Sequence, residues 1–301
     1  GRTFLIALAV AAVIFLPAYI MGQGYFFPGG DFTAQQIPFY KMGHQMVREG
    51  SFFWNWNTDL GVNFIGSYSF YLLGNPFFWL TIPFPNWMIP HLMAPLLILK
   101  FACAAFTAYF YIRRFTRTPD AAMLGGLLYA FSGAALQNGL FGHLLEAAVV
   151  FPLLLLAIEQ FMADNRRCPV VAAVFLGAMT AGPFFPDMAI FCVVYWFIRM
   201  LSDCWELSLR RLGAFAGEVF LGLGLAAILS LPAYLSLSQN GTAGLAGSDW
   251  FSGAAWLPAA CILPVFGLIG LFLFLLDKKK HWLRRILDLS AFLSLFAILA
   301  S

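Results

Sequence analysis

The run Gly30-Asp31-Phe32-Thr33-Ala34-Gln35-Gln36-Ile37-Pro38 sets one carboxylate and two amides just beyond the first apolar stretch of the chain. Trp54-Asn55-Trp56-Asn57 and Gly61-Val62-Asn63 follow before the next long apolar stretch. A carboxylate can take a proton from a hydroxyl, amides hydrogen-bond polar ligands, and indole rings offer flat apolar faces. A polar, aromatic stretch at a membrane surface calls for a partner or a substrate.

The spacing of Thr33 and Gln36 matches a capping box, Pro38 lies in the first turn, and Gly50 follows the last periodic residue. The segment from Thr33 to Glu49 therefore reads as a short helix. Lys41, His44 and Arg48 recur on one side and Phe39, Met42 and Met46 on the other, as suits a helix lying in the interface. The basic side either anchors to anionic headgroups or grips the phosphate of a lipid-linked substrate. With Thr33 as cap, the Asp31 side chain is left free for chemistry. Asp59 follows Trp54-Asn55-Trp56-Asn57, whose aromatics and amides either line a sugar or pin the loop to the interface.

Lys100 sits in the middle of an apolar run, where an ammonium costs about 2.5–3.5 kcal/mol, so it calls for a polar cavity or a carboxylate. Glu146 and Glu218 are the candidate partners. The sequence leaves open whether Lys100 makes a structural ion pair or a phosphate contact. His143 and Glu146 stand one helical turn apart at a helix start, a spacing that can hold a metal ion, hydrogen-bond a ligand, or cap the helix at the interface. Asp187 lies in the turn Gly182-Pro183-Phe184-Phe185-Pro186-Asp187. The chain contains no His-Glu-x-x-His, no Walker-type phosphate loop and no Gly-x-Ser-x-Gly, so nucleotide-driven transport and common hydrolase chemistry find no support.

These residues must be carried by membrane-spanning elements. Hydrophobic residues make up 61% of the 301 and charged residues only 10%, with a mean hydropathy of +0.82. Soluble domains carry about 25% charged residues, so this is a polytopic membrane protein. Spans of about 20 residues are expected over Thr3 to Met21, His91 to Ile112, Asp120 to Asn138 and Leu144 to Met162. Others are expected over Pro169 to Gly182, Asp187 to Leu201, Leu212 to Leu237, Leu257 to Leu276 and Ile286 to Ser301. Ser69 to Phe84 is apolar but broken at Gly74-Asn75-Pro76 and Pro83, and reads as re-entrant or interfacial. That reading puts 14 of the 17 basic residues inside, obeys the positive-inside rule, and leaves Asp31 on the extracytoplasmic side.

The first span has no small-residue cleavage site and reads as retained. The five cysteines, an odd number without Cys-x-x-Cys spacing, read as packing residues. Opening on Gly1 and stopping at Ser301 inside an apolar run, the chain reads as part of a longer protein. The expected organisation is one transmembrane domain over 1–301, incomplete at its C-terminus, with a first extracytoplasmic loop over 22–90 that carries interfacial helices.

The order of Gly30-Asp31, Gln36-x-Pro38, Gly50, Trp54-Asn55, Gly61-x-Asn63, Tyr71-Leu-Leu-Gly-Asn-Pro76-Phe77, Leu99-Lys100 and Tyr129-Ala-Phe-Ser-Gly133 resembles the YfhO-type bacterial membrane proteins. These are similar to the multi-span glycosyltransferases of GT-C architecture. The resemblance implies an all-α helical bundle in the bacterial plasma membrane with its active site on the extracytoplasmic face. It implies a polyprenyl-phosphate sugar as donor, a cell-envelope polymer such as a teichoic acid as acceptor, and an inverting displacement with Asp31 as catalytic base. Lys41, His44, Arg48 and Lys100 are then candidates for the donor phosphate. Gln36, Trp54, Asn55, Trp56, Asn63, His143, Glu146 and Asp187 are candidates for lining the substrates.

Asn75 departs from the Ser that family members often carry before Pro-Phe, and members are longer than this chain. No obligatory metal is expected, although some GT-C enzymes use a divalent ion. The expected partners are lipids and lipid-linked substrates, not nucleic acid. A lipid or polymer transporter is the chief alternative, since Lys100, Glu218 and the broken Ser69 to Phe84 segment also suit a translocation path. A noncatalytic scaffold is the third.

Overall fold

A computed structural model describes residues 1–30, 32–56, 61–69, 71–139, 142–180, 182, 185–201 and 209–239. Helix α1 (Arg2–Met21) leads into the first loop. That loop holds a π-helical turn (Phe32–Gln36) continuing into α2 (Ile37–Glu49), which ends at Gly50 in the left-handed conformation (φ 72°). A two-residue antiparallel ladder follows, β1 (Trp54–Asn55) with β2 (Val62–Asn63), pairing Trp54 with Asn63. The short helices α3 (Phe64–Tyr68) and α4 (Pro76–Trp79) complete the loop, so the Ser69 to Phe84 segment is broken as its Gly and Pro residues predict.

The chain then runs through α5 (Ile89–Ile112), α6 (Pro119–Ala130), α7 (Gly133–Gly139), α8 (Gly142–Asp164), α9 (Cys168–Thr180), α10 (Phe185–Leu201) and α11 (Leu209–Gln239). Among the described residues four helices, Arg2–Met21, Asn86–Ile112, Leu145–Asp164 and Arg210–Ala233, are long and apolar enough to cross a membrane. The first and last are only 11% buried, and the middle two 67%. α5 and α8 are thus the centre of the bundle, with α1 and α11 presenting apolar flanks such as Val13, Ile20, Phe220 and Ile228 outward. α5 packs on α1, α6 and α8, while α9 packs on α8 and α11.

Lipid removes most of the hydrophobic drive between helices, so close backbone approach has to hold them together. α5 supplies it with Ala94, Ala102, Ala104, Ala105 and Ala108, all buried. Opposite them on α6, a Cβ at Gly126 would meet the Ala105 carbonyl at 2.6 Å. Larger groups fill the wider gaps, where Phe101 stacks on Phe15 at 5.2 Å and on Phe131 at 5.5 Å. The three thiols among the described residues, Cys103, Cys168 and Cys192, are free.

Several expectations need correction. The Asp120 to Asn138 run is not one span but α6 and α7. The break falls at Ser132, whose Oγ accepts the Ala135 amide at 3.3 Å and starts a new helix. α9, at 13 residues, is about 20 Å long, shorter than a hydrocarbon core of about 30 Å. Thr33 does not cap α2: its Oγ1 accepts the Gly29 amide at 3.1 Å. The π turn feeds straight into α2 through Gln36, whose backbone is already helical, so no side chain caps the start. The expected spans Leu257 to Leu276 and Ile286 to Ser301 lie outside the described residues, as do Asp31 and Asp59.

Candidate functional site

Under α2, four side chains from four elements meet in a buried polar knot. Lys100 of α5 places Nζ 2.5 Å from Oε1 of Glu146 on α8. The same oxygen accepts from Nδ2 of Asn75, which also donates to the Tyr40 hydroxyl at 3.0 Å. The Lys100 ammonium also lies 5.9 Å from the Tyr40 ring centre and 5.6 Å from the Phe77 ring centre. Lys100, Glu146, Asn75 and Tyr40 are each 4% exposed or less. The partner left open between Glu146 and Glu218 is thus Glu146, while Glu218 lies 3.8 Å from Arg167.

Local sequence explains how each group arrives. Asn75 precedes Pro76, which suits the first turn of α4, and Asn75 Oδ1 caps that helix by accepting the Phe77 amide at 2.8 Å. That contact fixes the side chain so that its NH2 points at Tyr40 and Glu146. Gly74 lets the turn sit against the end of α9, since a Cβ there would fall 1.9 Å from the Met179 carbonyl. Tyr40 lies on the buried face of α2 with Ile37, Gly43, His44 and Met46. Burial pushes its phenol up to about 12, against the opposing pull of the Lys100 ammonium, so Tyr40 stays neutral at working pH.

A recess of about 10 Å³ adjoins the knot, lined by Gln36, Phe39, Tyr40, Tyr71, Leu72 and Glu146. Room of that size holds about one water or hydroxyl oxygen. Gln36 is buried at the end of the π turn, and neither its Nε2 nor Glu146 Oε2 has a hydrogen-bond partner.

Of the residues singled out in the sequence, Gln36, Lys100 and Glu146 are brought together. Lys41 is exposed on α2, and Arg48 is exposed with Nη1 3.4 Å from the Phe84 carbonyl. His44 does not join them on an exposed basic side. It is fully buried, and its Nε2 donates to Phe84 O at 2.8 Å, because Gly43 draws that face of α2 against Leu72 and Phe78. Trp54 and Trp56 are exposed and meet edge to face at 5.4 Å, while Asn55 between them is buried. Asn63 caps α3 by accepting the Gly66 amide at 2.9 Å. Asp187 is exposed in the first turn of α10. The side chain of His143, at the start of α8, lies outside the described residues, as does Asp31. Among the described residues no three His, Cys, Asp or Glu side chains are grouped to hold a metal ion.

Sequence reasoning missed Tyr40 and Asn75 as members of the knot. It also missed a second ion pair, the buried Glu159 of α8 with the half-buried Arg199 of α10. Arg199 Nε lies 2.6 Å and Nη2 3.2 Å from the two Glu159 oxygens, and the Tyr195 hydroxyl donates to Oε1. A lone Glu inside the apolar run Val149 to Met162 was the available signal, the same one that marked Lys100.

An all-α bundle with a charged knot sealed into its apolar centre defines a multi-pass membrane protein. Residues 3–301 match the family described as bacterial membrane protein YfhO, and the chain belongs to it. No curated protein and no solved structure matches the chain.

Proposed function

We propose that this YfhO-family protein is a membrane glycosyltransferase, moving a sugar from a polyprenyl-phosphate donor to a cell-envelope acceptor such as a teichoic acid. The observation that carries the reading is the buried knot Lys100–Glu146–Asn75–Tyr40 directly beneath the interfacial helix α2. Charged groups inside a membrane protein are expensive and usually serve function. Here they join α5 and α8 to the polar, aromatic loop in which Asp31 stands.

In the proposed reaction Asp31 takes the proton of an acceptor hydroxyl, whose oxygen attacks the anomeric carbon. The bond from that carbon to the phosphate oxygen breaks with inversion, and the lipid phosphate leaves with the electron pair. A carboxylate of ordinary pKa, about 3.9, is ionised at neutral pH and ready for this role. Lys41 and Arg48, exposed on α2, supply positive charge for the leaving phosphate. The surplus of basic residues in the other loops supports an extracytoplasmic site in the bacterial plasma membrane.

The test is reconstitution of the full-length protein in vesicles with labelled polyprenyl-phosphate sugars and envelope acceptors. Asp31→Asn is expected to lower transfer by about 10²–10⁴-fold without altering folding. Transfer that survives the change removes Asp31 as base. Movement of the lipid-linked sugar across the bilayer without transfer favours a transporter.

A further inference from the structure

We propose that the recess between Gln36 and Glu146 is a subsite for one hydroxyl group of the carbohydrate, which donates to Glu146 Oε2 and accepts from Gln36 Nε2. This inference rests on the glycosyl-transfer reading and names the group that the site recognises.

Glu146 carries two carboxylate oxygens in very different situations. Oε1 is occupied by Lys100 at 2.5 Å and by Asn75, whereas Oε2 is buried and has no partner. Across the same recess Gln36 is 7% exposed, and its Nε2 has no acceptor. A buried acceptor or donor left without a partner is costly, and here one of each lines a single recess. The group that satisfies both at once must be a donor and an acceptor on one atom. Among biological ligands that is a hydroxyl or a water. A cation suits only the carboxylate and an anion only the amide.

The volume and lining favour an alcohol that is part of a larger ring. About 10 Å³ admits one oxygen, and the remaining walls are Phe39, Tyr40, Tyr71 and Leu72. Phe39 packs edge to face on Tyr68 at 5.1 Å and against Tyr71 at 5.7 Å, giving the mouth fixed aromatic surfaces for the apolar face of a sugar. Glu146 is held from behind by Lys100 and Asn75 and so cannot turn away from an arriving hydroxyl. Both residues are positioning groups for substrate choice, separate from the proton transfer assigned to Asp31.

The experiment measures binding, not turnover, on the full-length protein in nanodiscs. Intrinsic tryptophan fluorescence is followed with undecaprenyl-phosphate glucose, galactose and N-acetylglucosamine, with their monodeoxy derivatives, and with free glucose and ribitol. One deoxy position is expected to weaken binding about 10- to 100-fold, and the other positions less than threefold. In Gln36→Met that penalty shrinks to a few-fold, whereas the penalties at other positions are unchanged. Gln36→Met is expected to keep the fold, because the buried Nε2 has no hydrogen bond to lose, and its unfolding midpoint is expected to equal or exceed that of the wild type.

Binding insensitive to every deoxy position, the same penalties in Gln36→Met, a water retained in the recess of the sugar complex, or no binding of any of these probes each overturns the subsite. Transfer without deoxy discrimination sinks the subsite and spares the transferase. Deoxy-sensitive binding without transfer does the reverse.

Discussion

Removing the Lys100 ammonium from the knot leaves a carboxylate sealed between α5 and α8 with only Asn75 to satisfy it. At 2.5 Å and an effective dielectric constant of about 20, the attraction between the two charges is about 6–7 kcal/mol. Desolvating both ions offsets most of that. The loss on breaking the pair from one side is larger than its net worth, because the partner stays buried and unmatched. Lys100→Met and Glu146→Gln are therefore each expected to cost about 3–5 kcal/mol, roughly a fifth or more of the stability of a typical domain. The double variant removes both charges, and its cost should fall short of the sum of the singles by at least about 2 kcal/mol.

The assay is reversible unfolding in mixed micelles by sodium dodecyl sulfate titration, followed by far-ultraviolet circular dichroism and run as a double-mutant cycle. A neutral interhelical hydrogen bond in a membrane protein averages about 0.6 kcal/mol, so the expected coupling stands clear of an ordinary polar contact. Additive costs, within about 0.5 kcal/mol, would refute the claim that these charges are coupled in the folded protein. So would a Lys100→Met variant as stable as the wild type.

Three further outcomes follow from the same region. Asn75→Ser keeps an oxygen to cap α4 but loses the donors to Tyr40 and Glu146, so it should cost about 1–3 kcal/mol in the same titration. Gly74→Ala drives a Cβ into the Met179 carbonyl and should cost about 1–3 kcal/mol, whereas Gly50→Asn, at an open left-handed cap, should cost much less. The Tyr40 phenol, held up to about 12 by burial, favours the folded state in its protonated form. That contribution is intact below pH of about 10 and is lost as pH rises through about 12. The tyrosinate absorbance step near pH 12 should be missing in Tyr40→Phe, and its persistence would assign it to another tyrosine.

The spans were readable because lipid imposes length and apolarity on any helix that crosses it, and α1, α5, α8 and α11 all satisfy both. Lys100 announced itself by the same logic run backwards, since an ammonium in an apolar run needs a partner. Choosing Glu146 over Glu218 needed the packing of α8 on α5, which no local pattern encodes. Asn75 was legible as a turn residue and helix cap, but its remaining two hydrogens look sideways to residues 35 and 71 positions away. His44 was misassigned because its helical spacing from Lys41 and Arg48 says nothing of the carbonyl waiting at Phe84. The π turn defeated the capping-box reading of Thr33 and Gln36 for a related reason. It changed the rotation of the chain just before α2, turning the Gln36 amide inward.

Helix α8 carries two buried carboxylates, Glu146 and Glu159, about 20 Å apart along its axis, and each is matched by a different neighbour. Ribosomal synthesis delivers those neighbours at different times. Lys100 has already emerged when Glu146 appears, but Arg199 trails Glu159 by 40 residues. The newborn α8 can therefore dock one end on α5 at once, while Glu159 meets its Arg199 partner only when α10 arrives. The two pairs thus close in a fixed order of synthesis, Lys100 with Glu146 as soon as α8 is made and Glu159 with Arg199 only after α10.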